Sequence, residues 1–235
     1  MINKNISQVV ILAGGKGTRM REMTELLPKP MVKIGELPVL VHLMNIFNNF
    51  KSFNFLIATG YKHEIIENYF SNYENVKVIE TGLDTNTGGR LFKLEEFLDD
   101  NFLMTYGDGL ANVRIDKLIQ NFEKNNNIGT VTVSRPTSRF GLIDFDENGL
   151  VNKFIEKPKL DGYVNIGFFG FKKTILNYLN QDSVLEQQPL KELVLDKQLS
   201  VNIHDGFFEP MDTYREYLQL NEYYKNDYIP WMDFS

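Results

Sequence analysis

The chain has 235 residues, enough for one α/β core, and its 43% hydrophobic and 24% charged residues are the balance of a globular protein. A net charge of −6 excludes a surface built for nucleic acid, so any anion must be met by a local site. The lack of cysteine excludes disulfides, thiolate catalysis and cysteine-bound zinc, while His42, His63 and His204 show no metal-ligand spacing.

Residues 1–8, MINKNISQ, hold no apolar stretch of the kind that directs secretion. No segment nears the roughly 18 apolar residues that span a bilayer, so a cytoplasmic protein without a membrane partner is expected. Next, 8–13, QVVILA, reads as a buried strand and 39–50 as an amphipathic helix. Strand 53–60 is followed by helix 63–73, strand 76–81 by helix 90–98, and 101–109, NFLMTYGDG, is a strand ending in a turn. Helix 115–124 and strand 129–134 keep the rhythm, which is that of a parallel doubly wound sheet. From about 139 it changes. FGLIDFDENGLVNKFIEK carries two alternating runs around ENG, a hairpin signal. Strand 163–171, helices 172–179 and 188–197, strand 200–205 and helix 212–226 complete the chain.

No repeat, linker or shift in composition divides the sequence. The expectation is one domain, 1–235, with a Rossmann-like doubly wound sheet, mixed but mostly parallel, and an added antiparallel portion. Such sheets bind ligands beyond the carboxyl ends of their strands, which points to the loops after residues 13, 60, 82 and 106. The aromatic tail 223–234, with the one tryptophan, reads as packing on the core, with a subunit interface as the other reading.

The first of these loops carries the strongest signal. VVILAGGKGTRM, 9–20, runs from a buried strand into three glycines, which let backbone amides approach an anion. It is not the dinucleotide fingerprint, because Met20 stands where a small residue is required, and the P-loop string is absent from the chain. A plain turn would not need Lys16, Arg19 and Arg21 crowded around it. Ten residues on, Lys29 lies between Pro28 and Pro30, where a stiff backbone gives the side chain a fixed exit. A lysine so placed is suited to a phosphate.

The combination LAGGKGTRM with PKPM resembles the sugar-phosphate nucleotidylyltransferases, which join a nucleoside triphosphate to a phosphorylated acceptor and release pyrophosphate. TGLDTNTGGRL (81–91), YGDG (106–109), RFG (139–141), EKPK (156–159) and GFFEPMDTYREY (206–217) are similar to the glucose-1-phosphate cytidylyltransferase branch, so nearly the whole chain is covered. The resemblance implies CTP as nucleotide. Leu12, Ala13, Gly14, Gly15, Lys16, Gly17, Thr18 and Arg19 would cradle its triphosphate, with Gly107 beside it. Thr87, Gly88, Gly89 and Arg90 would lie near base and ribose, and Lys29 near the reacting phosphorus. Arg19, Lys29 and Asp108 are the implied catalytic residues, and Asp108 with Asp212 the implied magnesium ligands. From the residues alone Asp108 also fits a turn, and Asp212 a helix N-cap.

Lys157, Asn165, Ile166, Gly109 and Arg139 are the implied acceptor site. The chain departs from the glucose branch there twice. Only SNYENVKVIE (71–80) stands where that branch carries a long insertion, and Ile166 replaces a glycine that leaves room for a sugar ring. An isoleucine offers hydroxyls no hydrogen bond, and each one left unpaired costs about 1–3 kcal/mol. Both departures favour a relative that cytidylylates phosphorylated glutamine in the phosphoramidate decoration of capsular polysaccharide. Glucose 1-phosphate ranks second. A nucleotide-binding subunit without catalysis is the reading from another class, and a homo-oligomer is expected from the family.

Overall fold

A computed structural model of the chain describes residues 6–234, so most of MINKNISQ lies outside the described residues, as does the side chain of Arg21. A seven-stranded sheet forms the frame. Its order is Leu199–Ile203, Gly129–Ser134, Val164–Lys172, Asn101–Tyr106, Gln8–Ala13, Asn54–Thr59, Val76–Glu80. All neighbours are parallel except Val164–Lys172, which runs antiparallel to the strands on both sides. The mixed, mostly parallel sheet is the expected architecture. Its antiparallel share is one inserted strand, while the ENG hairpin stands outside the sheet as Leu142–Phe145 paired with Val151–Ile155, exposed throughout.

Strand alternation explains the two layers, since successive side chains leave a strand on opposite faces. Val9 and Ile11 enter a core with Leu43, Phe47, Ile119 and Trp231, on the face covered by the helices Val39–Asn48 and Ile115–Asn125. Val10 and Leu12 enter a second core with Leu91, Leu94, Ile175 and Leu193. A strand apolar on both faces belongs in the middle of a parallel sheet, and QVVILA lies there.

Two expected helices differ. The one read as 90–98 is an α-helix over Thr87–Phe92, then a 3-10 turn at Glu95–Phe97. Gly88 and Gly89, read as loop, enter it because the helix lies against the 181–183 backbone: a Cβ on Gly89 would meet the Gln181 carbonyl oxygen at 2.2 Å. The other, 172–179, is a 3-10 run over Lys173–Tyr178. The aromatic tail packs inward on the core. Trp231 is fully buried and donates from Nε1 to Nδ1 of His42, 3.3 Å away. Among the described residues no helix is long and apolar enough to cross a membrane.

Candidate active site

Three parallel strands, Gln8–Ala13, Asn54–Thr59 and Asn101–Tyr106, end on the same side of the sheet, and a cavity of about 530 Å³ opens at that edge. The loops after residues 13, 82 and 106 line it, as their place beyond the strand ends predicts. The loop after residue 60 stands behind instead: the Tyr61 amide donates to the Gly14 carbonyl and so steadies the glycine loop.

Leu12, Ala13, Gly14, Gly15, Gly17, Thr18 and Arg19 all line the cavity. Gly17 has φ of +62°, a conformation that costs a glycine nothing, and its missing side chain lets the loop lie on the stem of Lys29. A Cβ there would stand 2.9 Å from the Lys29 Cβ. Lys16 points elsewhere; its ammonium pairs with Asp84 at 2.9 Å on the surface.

Lys29 opens a 3-10 turn over Lys29–Met31 and is 8% exposed. Its Nζ lies 2.6 Å from an oxygen of Asp108 and 2.6 Å from one of Asp212. The two acids, 104 positions apart by their numbers, meet through a short ribbon: Gly109–Ala111 pairs antiparallel with Phe208–Pro210, and the Met211 amide donates to the Asp108 carbonyl. Arg19 reaches the other oxygen of Asp212 at 2.7 Å. Asp212 is not the helix cap that its position also suggested. Thr213 is, in a reciprocal capping box with Glu216, which leaves the Asp212 carboxylate free for the cations. Burial pushes that carboxyl up, but hydrogen bonds and charge from Lys29, with Arg19, outweigh it and hold it below the usual range.

Asp108 and Asp212 therefore lie close enough to address one ion. Carboxylate oxygens suit a hard cation such as magnesium, which keeps few protein ligands and completes its shell with phosphate and water. No group of three His, Cys, Asp or Glu gathers among the described residues, so the rest of a shell would have to come from substrate and solvent.

On the opposite wall Thr87 and Arg90 line the cavity, with Thr85 and Asn86, while Gly88 and Gly89 face away from it toward the 181–183 backbone. Arg90, which the resemblance places near base and ribose, lines the cavity, but its guanidinium is already engaged by the protein. Its Nη atoms donate to the carbonyls of Thr59, Gly82, Gly14 and Leu83 and to the Thr81 hydroxyl, at 2.7–3.3 Å. It is an internal brace that ties the glycine loop to the 81–83 loop, and Gly14 is glycine because the guanidinium lies against it.

Gly107, Gly109, Asn165 and Ile166 also line the cavity. Ile166 is 4% exposed and belongs to the core with Phe168 and Val9, so most of its side chain packs in the protein instead of filling space for a ligand. Lys157 and Arg139 do not line the cavity. Lys157 is exposed, with φ of +45°, and Arg139 is tied to Glu216 at 2.8 Å. Tyr106, the first residue of YGDG, is a wall residue whose role the motif does not reveal. Its ring covers Gly167, and its hydroxyl donates to Glu186, which also accepts from Thr87 at 2.7 Å. Burial, and then the Glu186 charge, push the phenol far up, so it stays protonated. Glu186 carries no sequence signal; only folding brings it to the strand tip.

The family model described as Nucleotidyl transferase matches residues 8–231. The chain is 36% identical to the Bacillus subtilis protein named "Probable glucose-1-phosphate cytidylyltransferase", over 95% of this chain and 98% of that one. It is equally close, with the same coverage, to the glucose-1-phosphate cytidylyltransferase of Salmonella typhimurium. Among solved structures, HddC from Yersinia pseudotuberculosis superposes with a TM-score of 0.73 at 23% identity, over 93% of this chain and all of that one, which is a likeness of fold.

Proposed function

The chain belongs to the nucleotidyl transferase family, and from that premise we propose that it is a magnesium-dependent cytidylyltransferase that moves CMP from CTP to glucose 1-phosphate. An oxygen of the acceptor phosphate attacks the α-phosphorus in line; a new P–O bond forms, the bond between α- and β-phosphates breaks, and pyrophosphate leaves with the electron pair. No protein base is needed, because the acceptor phosphate is already ionised near neutral pH. The chain's task is to position the anions and offset their charge. Glycine-loop amides hold the triphosphate, Lys29 and Arg19 supply positive charge, and the strand tip at Tyr106 forms part of the wall. Asp108 and Asp212 would hold magnesium, which when bound neutralises charge on the phosphates. The observation that carries this reading is the convergence of Lys29, Asp108 and Asp212 at the mouth of the glycine loop.

Phosphorylated glutamine ranked first on sequence, and the named relatives favour glucose 1-phosphate instead. The argument from Ile166 loses force, since the side chain is mostly core. The shorter chain still speaks for glutamine phosphate as the second reading: the alignment with the Bacillus subtilis relative runs over 251 positions although this chain has 235 residues, so the relative carries segments absent here. Incubation with CTP or UTP, magnesium and each acceptor, followed by pyrophosphate release, separates them. Turnover with CTP and glucose 1-phosphate is the expected result. Turnover with glutamine phosphate alone would transfer the assignment to the second reading, and none with any pair would favour a binding subunit. Cytoplasmic location and assembly into a homo-oligomer are part of the same proposal.

A further inference from the structure

The acid pair already has a cation. The Lys29 ammonium donates to both Asp108 and Asp212 at 2.6 Å, and Arg19 closes the remaining side of Asp212. Two carboxylates face two cations, so the cluster is neutral before any ligand enters. The Lys29 side chain is 10% exposed and its backbone is fixed by Pro28 and Pro30. Its stem is also wedged under Gly17. With the backbone held, the amine is free to move by rotation about its own side-chain bonds, and it lies with both acids in the cavity lining, within reach of an anion that enters there.

We propose that Lys29 is the resident counter-ion of Asp108 and Asp212 and competes with a divalent cation for them. The inference rests on the reading of the cavity as a nucleotidyl-transfer site. A dication entering alone meets an ammonium in the place it must take, and the cluster turns strongly positive. A triphosphate entering the cavity offers the ammonium another partner and offsets the added positive charge. By linkage, nucleotide and cation then favour each other, and each alone binds weakly. One lysine thus serves two anions in turn, the acid pair and the phosphate.

The test needs no turnover. Manganese(II) is titrated into the nucleotide-free full-length chain, and free ion is read by electron paramagnetic resonance. Lys29→Met is expected to bind manganese on the order of tenfold more tightly than the unaltered chain, within the usual range of coupling between sites. Lys29→Arg, which keeps the charge, is expected to bind as weakly as the unaltered chain. Equal or weaker binding by Lys29→Met overturns the proposal, and so does an equal gain in Lys29→Arg. Should Lys29→Met fail to fold by circular dichroism, Lys29→Gln decides, since it also removes the charge but keeps a polar side chain beside the two acids. A gain in manganese affinity supports the competition, and no gain overturns it. Because no acceptor or CTP is present, a failure here is distinct from a failure of the cytidylyl-transfer reading, which pyrophosphate release tests.

Discussion

Asp212 shows how much of the site's chemistry lies in its neighbours. Lys29 and Arg19 hold its carboxyl below its ordinary value of 3.8 in spite of burial. A carboxyl lowered in the fold adds stability at pH values above that ordinary value, and loses it as pH falls through the lowered one. Lys29→Met removes the main partner, so its deficit in stability against the unaltered chain is expected to be largest at pH 7 and to shrink toward pH 3. Urea unfolding at a series of pH values measures this, and a deficit that stays constant would contradict it. Arg90 gives a second prediction. Arg90→Met leaves several buried carbonyls without donors, and a loss of about 3 kcal/mol is expected in denaturant unfolding. Substitution of a mere nucleotide contact would leave stability unchanged. In sequence, Lys29 is readable because two prolines flank it. For Arg90 the resemblance implies a place near base and ribose, and nothing in TGGR says that five protein oxygens already hold its guanidinium. Lys157 and Arg139 stand outside the cavity lining, because charge in a family motif does not say where the side chain points.

At the scale of elements, strand alternation and glycine punctuation made the parallel layer legible. QVVILA, FNFLIATG and NFLMTYGDG each declare a buried strand followed by a loop, and parallel strands must put those loops on one side. What stayed hidden depends on pairing between distant segments. The ribbon of Gly109–Ala111 with Phe208–Pro210 is only three residues long on each side, and neither half has a strand pattern of its own. Yet it is what brings Asp108 to Asp212. The start of the helix after it is equally local and equally decisive: Thr213, not Asp212, caps Tyr214–Lys225. Thr213→Ala is therefore expected to cost about 1 kcal/mol of stability in thermal or urea unfolding. Asp212→Ala should leave the helix cap intact and abolish turnover. The opposite pattern would return Asp212 to the role of cap.

Across the whole molecule, two cores clamp one sheet, and the tail completes the first of them. Trp231 stacks edge-on against His42 and contacts Phe207, while Phe234 meets Phe50. Trp231→Ala is expected to lose about 3–5 kcal/mol, the cost of emptying a large core position. A loss near zero would mean that the tail only rests on the surface. The central claim concerns the cavity at the strand ends, where Lys29 is proposed to meet charge that grows during the reaction and not merely charge that is bound. It is tested most directly by measuring kcat for pyrophosphate release and the Kd for CTP in Lys29→Ala. The account predicts that kcat falls by about 10²–10³ while CTP binding weakens by much less. Equal losses in both would contradict it.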